Sequence, residues 1–230
     1  MHSFQLPAYK KDSLLILTSF KVMYSFLEKQ EEVSRIFWNK RTMSLAILNK
    51  AINRPRAVAL LRDPKARFIS YFKDKFRKEP LRMIREGRLQ PHNLQQCQRL
   101  WLSHVGVPLD NIELCCHELI RTPVDSVVEW LPEAYKNDAH TLPQYYCLLA
   151  CWRNIQIKLN IYKMFLIDQD DHLEQFGKLT GIDTCHKVNH TDDVSETIRL
   201  SSFSNSILQN LYADDIELIN ELSAKKLFLK

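Results

Sequence analysis

An apolar run, Ala57 to Leu61, stops at Arg62-Asp63-Pro64, and a helical pattern starts at once and carries on past Ser70. A run this short, bounded by turn residues, reads as a buried strand. Strand, tight turn and helix in immediate succession commit the chain to a sheet covered by helices. Arg62 then stands at the carboxyl end of a strand, and Ser70 lies about two turns into the next helix. That edge is where open α/β sheets bind ligands. A guanidinium and a hydroxyl suit a phosphate, which accepts a forked, charge-assisted pair from Arg. Asp63 is placed to cap the helix, and Pro64 suits its first turn.

A second run of the same kind, Leu14–Leu17, is followed by Thr18-Ser19 and by a helical pattern from Val22 to Gln30. Lys21 and Ser25 fall at that strand-to-helix turn, where unpaired N–H groups favour an anion. Further along, the pattern predicts helices over 34–52 and 65–78, the latter broken by Pro80, and over 93–105. It predicts a strand at Ile112–Cys115 leading to a helix at Val124–Glu129, and a polar loop from Pro132 to Pro143. A helix over Gln144–Leu159, a strand over Lys163–Asp168 and a helix over His172–Thr180 closed by Gly181 follow. Residues 183–206 read as irregular, and a last helix covers 207–223. Strands separated by helical stretches indicate an α/β fold, a parallel β-sheet flanked by helices. Only four glycines are present, so helix dominates, and a GxxxxGK[ST] phosphate loop is absent.

At 230 residues with 45% hydrophobic and 26% charged side chains, the chain can bury an ample core. The net charge of +5 fits an anionic ligand without requiring nucleic acid. Residues 73–88 hold seven basic and three acidic side chains, a stretch that either lines a cleft or forms a solvated face. The six cysteines form no C-x-x-C pair, so buried free thiols in a reducing, cytoplasmic compartment are expected, with no metal. No apolar run approaches a bilayer span, and no secretory leader is evident.

The Arg62-Asp63-Pro64 turn with Ser70 on the next helix resembles the 3′-phosphate-binding segment of sulfotransferases. Phe20 to Ser25 follows in register the Pro-Lys-Val-Ala-Cys-Ser form of their 5′-phosphosulfate loop, with Phe20, Met23 and Tyr24 as departures. His140-Thr141-Leu142-Pro143-Gln144 is similar to a His-x-x-Pro-Gln element of carbohydrate-type members. Lys163–Gly181 resembles their next segment, and Tyr212-x-x-Asp215 their closing signature. The matches spread over about residues 14–222 in the family's order.

The resemblance implies one sulfotransferase-like domain over 1–230, with the P-loop-like, helix-rich fold of that family. It implies 3′-phosphoadenosine-5′-phosphosulfate (PAPS) as co-substrate and a hydroxyl acceptor, a saccharide or glycolipid. Lys21 would stabilise the bridging oxygen, with Val22, Met23, Tyr24 and Ser25 around the 5′ group. Arg62 and Ser70 would hold the 3′-phosphate, and Lys187 and Asn189 would lie near the donor. His140 is the candidate general base, since imidazole titrates near neutrality; capping or ligand binding are its other roles. Two other readings stand beside this one. A P-loop-like kinase would need Asp168 as its Mg²⁺ carboxylate. A non-catalytic basic protein would use the 73–88 stretch and bind with steep salt dependence.

Overall fold

The computed structural model describes residues 6–184 and 197–224. In chain order its regular elements begin with strands β1 (Ala8–Lys11) and β2 (Leu14–Leu17), helix α1 (Tyr24–Leu27), strand β3 (Ser34–Ile36), helix α2 (Lys40–Ile52) and strand β4 (Arg56–Leu61). Helices α3 (Pro64–Lys73), α4 (Glu79–Arg85), α5 (Gln96–His104), α6 (Ile112–Arg121) and α7 (Val124–Ala134) follow. Strands β5 (Leu149–Trp152), β6 (Ile155–Lys158) and β7 (Ile161–Leu166) precede helices α8 (Asp170–Thr180), α9 (Ser202–Leu211) and α10 (Ala213–Ala224). The chain forms two compact units. One comprises Met1–Pro64, Leu142–Asn189 and Tyr212–Lys230, the other Lys65–Thr141 and His190–Leu211.

The first unit holds the sheet, in the order β3-β1-β2-β4-β7. β2, β4 and β7 run parallel, with Leu17 opposite Ala59 and Leu61 opposite Leu166. β1 and β3 extend the sheet antiparallel beyond β2. This is the helix-flanked α/β fold the sequence predicts, with an antiparallel edge the periodicity did not reveal. From Ala57 to Leu61 every residue of β4 is buried, which is why it reads as an unbroken apolar run rather than an alternating one. Ile16, Val58, Leu60 and Phe165 join Val22, Phe26, Leu27 and Phe176 in one core cluster. Burying each such side chain is worth roughly 1.5–3 kcal/mol.

Several expected elements come out differently. The helix expected over 22–30 is a single turn, α1. The stretch 34–52 splits into edge strand β3 and helix α2, divided where Asn39 and Thr42 form a reciprocal capping box of 3.1 and 2.7 Å. The helix expected at Gln144–Leu159 is a short 3₁₀ turn, Gln144–Leu148, followed by the β5–β6 hairpin. Arg153 and Asn154 both take positive φ (47° and 63°) at that hairpin's tip. Two left-handed residues match the right-handed strand twist of a two-residue hairpin.

The second unit is helical among the described residues. The strand expected at Ile112–Cys115 is the start of α6, because Ile112, Cys115, Cys116 and Leu119 form one buried helical face. Pro80 does not end its helix. A π-helical turn, Asp74–Lys78, joins α3 to α4, and Pro80 sits in the first turn of α4. The last predicted helix is two helices, α9 and α10, assigned to different units.

Candidate functional site

In the first unit the carboxyl ends of β2 and β4 lie side by side, because these strands pair in parallel. After Leu17 the chain turns through Thr18 to Tyr24 into α1. Lys21 and Met23 take left-handed conformations there, φ 68° and 53°. That conformation costs non-glycine residues energy and persists only where the surroundings enforce it. Thr18, fully buried, holds the loop by donating its hydroxyl to the Val22 carbonyl, and the Val22 N–H closes onto the Ser19 carbonyl at 3.2 Å. Val22 buries its side chain completely, and Met23 and Tyr24 pack against the same core. Of the bulky departures from the family loop, Met23 and Tyr24 thus rest partly buried against the core. Tyr24 also stacks on Phe20 at 4.9 Å and lies under the Arg35 guanidinium at 5.6 Å. Ser25 is exposed.

Arg62 projects from the end of β4 toward this loop. Its Nη1 donates to the Lys21 carbonyl at 3.4 Å, and its Nε to Asp168 Oδ1 at 3.1 Å. The structure therefore brings together Lys21 and Arg62, which are 41 residues apart in sequence. Two of the five guanidinium N–H groups are engaged among the described residues, which leaves three donors in fork geometry for an anion. Asp168, at the end of the segment containing β7, spends its second oxygen on the Asp63 N–H at 3.1 Å. The carboxylate the kinase reading would assign to Mg²⁺ thus holds the Arg62-Asp63 turn in place. Among the described residues no group of three or more metal-ligating side chains occurs.

Two further contributors at this edge carried no assigned role in the sequence. Gln144, completely buried, accepts from the Arg62 N–H at 2.9 Å and donates to the Arg62 carbonyl at 2.7 Å. Asp215, 1% exposed, accepts from the Gln144 and Tyr145 N–H groups at 2.8 and 2.9 Å. Gln144 and Asp215 belong to the two elements whose spacing matched the family, but their partnership spans 71 residues of sequence. Periodicity sees neighbours on an element, not contacts at that range.

The second unit carries Ser70 and His140. Ser70 is half-buried on α3. His140 sits in a turn, where Asp138 accepts from its N–H at 3.0 Å and faces its Nδ1 at 2.8 Å. Arg67, 1% exposed, donates to the His140 carbonyl at 3.4 Å. Burial pushes the Asp138 carboxyl up, but hydrogen bonds and charge from His140 outweigh it and hold the group below its ordinary value. An ionised Asp138 on Nδ1 fixes the ring's orientation, the carboxylate–imidazole arrangement of many general bases. Asp138 went unassigned in the sequence reading, although it stands two residues before His140.

In the same unit the basic stretch 73–88 is largely engaged with the protein. Lys75 pairs with Asp74 at 2.8 Å. Arg77 donates to the Leu119 and Thr122 carbonyls at 3.1 and 2.9 Å and lies over Phe72 at 4.6 Å. Arg82 and Arg88 both meet Glu79. Lys187 and Asn189 lie outside the described residues.

The cysteines among the described residues are free thiols, four of the five buried. No helix among those residues is long and apolar enough to cross a membrane. Residues 21–220 match the model of a family described as the sulfotransferase family. No curated protein and no solved structure matches the chain.

Proposed function

The chain belongs to the sulfotransferase family, and on that premise we propose that it moves a sulfuryl group from PAPS to a hydroxyl of a glycan or glycolipid. The observation that carries this reading is the Arg62 guanidinium reaching the Lys21 loop at 3.4 Å across neighbouring parallel strand ends. A donor with two separated phosphate groups needs two adjacent cationic anchors, and these two supply them.

In the proposed reaction Arg62, with Ser70, holds the 3′-phosphate. Lys21 stabilises charge on the oxygen that bridges sulfur to the 5′-phosphate as that S–O bond breaks. The acceptor oxygen forms the new S–O bond in line with the leaving group, and the electron pair departs with adenosine 3′,5′-bisphosphate. His140 takes the acceptor's proton, with Asp138 keeping its ring oriented. Positioning and electrostatics supply most of the rate, as in phosphoryl transfer. The free thiols among the described cysteines support the proposed cytoplasmic setting.

Thermal melting with adenosine 3′,5′-bisphosphate tests the donor site. Ligand at about 100 times its Kd adds roughly 2.7 kcal/mol of stability, whereas ATP with Mg²⁺ should leave the melt unchanged. Arg62→Ala should abolish the rise. His140→Ala should keep it and lose turnover by about 10²–10⁴-fold. Identical melts with and without the bisphosphate would sink the proposal, and full turnover in His140→Ala would remove the base assignment alone.

A further inference from the structure

Along a strand, backbone groups of successive residues point to opposite sides. The Leu61 carbonyl accepts from Ile167 N–H at 2.9 Å, on the β7 side. The N–H and C=O of Arg62 therefore face the other side, where β2 would continue. β2 pairs with β4 only as far as Leu17 opposite Ala59, and the chain then turns away into the Lys21 loop. Arg62 would be left with an unpaired donor and acceptor at the very position the anion site needs rigid. Gln144 supplies both partners, its one amide offering the acceptor and the donor that two successive peptide units of the missing strand would have offered. Its own backbone is held in turn by Asp215, whose carboxylate accepts two consecutive N–H groups at the start of the 3₁₀ turn.

We propose that Gln144 and Asp215 are positioning residues for the anion site: together they substitute for the departed β2 and fix the Arg62 backbone so that its guanidinium meets the 3′-phosphate. This rests on the donor reading above. A scaffold role alone would loosen the whole edge. A positioning role toward Arg62 is selective, because the 3′-phosphate is the group that guanidinium binds.

Titration of purified full-length protein with adenosine 3′,5′-bisphosphate and with adenosine 5′-monophosphate separates the two. Gln144→Met, which keeps the volume and removes the amide, should weaken the bisphosphate by about tenfold or more, the scale of lost charge-supporting hydrogen bonds. The monophosphate affinity should stay within about twofold of the wild type on the same scale. Combined with Arg62→Ala, Gln144→Met should add little further loss, since both act through one group. Asp215→Asn should reproduce the selectivity in milder form, and it carries the test if Gln144→Met does not fold. Equal weakening of both ligands, unchanged affinities, or failure of both variants to fold would overturn the positioning role and leave the donor reading standing. A wild-type protein that binds neither ligand would overturn the donor reading, and the positioning role with it.

Discussion

At the scale of single residues, charge placement decides the chemistry. Asp138 is the clearest case, being 7% exposed yet ionised, because the imidazole and N–H of His140 more than offset its desolvation. Its folded-state value lies below the 3.8 of an ordinary Asp, so in acid the unfolded chain binds more protons than the folded one. The stabilisation is therefore fully present above pH 3.8 and is lost as pH falls through the folded value. Asp138→Asn should remove that acid-side dependence, visible as a flatter plot of urea midpoint against pH below about 4. At neutral pH the same variant should cost about 1–3 kcal/mol, because the hydrogen bonds to a charged acceptor weaken. If His140 is the base, turnover should also fall while bisphosphate affinity holds. An unchanged acid limb would mean that Asp138 is not the group the geometry makes it.

Among the elements, the join between α3 and α4 shows how one buried side chain permits an irregular backbone. In the π turn the Asp74 carbonyl accepts from the Glu79 N–H. The next carbonyl, Lys75, would look to residue 80 in that register, and Pro80 has no N–H. Gln98, fully buried on α5, donates to that carbonyl at 2.7 Å while its amide oxygen accepts from the Gln95 N–H at 2.8 Å. Gln98→Leu keeps the volume and strands both groups, so it should lower stability by about 1–3 kcal/mol by chemical denaturation. A change below about 0.5 kcal/mol would mean the carbonyl finds another partner at no cost. Sequence alone marks Pro80 as a helix end because the rescuing amide lies 23 residues on from Lys75. The hairpin β5–β6 was hidden for a different reason. Its apolar residues fit a buried helix segment equally well, and Arg153-Asn154 lacks the glycine that usually announces such a turn. In α6 the short stretch Ile112–Cys115 suggested a strand, although the i, i+3, i+4, i+7 spacing of Ile112, Cys115, Cys116 and Leu119 was already present.

Across the whole molecule, what was legible was what is local. Leu14–Leu17 and Ala57–Leu61 announced the parallel pair, and the turns after them announced Lys21 and Arg62. Illegible were the long-range supports, Gln144, Asp168 and Asp215, whose chemistry consists of pairing with a backbone fixed by other segments. The same distinction bears on the overall charge. A formal +5 with seven cations between 73 and 88 invites a nucleic-acid partner. Yet Lys75, Arg82 and Arg88 face acidic neighbours, and Arg77 is committed to two carbonyls and an aromatic ring. Cations already paired release few counterions from a phosphate backbone, so both affinity and its salt slope should be small. Fluorescence anisotropy with a short duplex DNA should show only weak binding at about 50 mM salt, and a log–log salt slope shallower than about −3. Tight binding that collapses by about 10³-fold between 50 and 200 mM salt would mean six or more phosphate contacts. That result would restore the basic stretch as an interface and make polyanion binding a second activity of the chain.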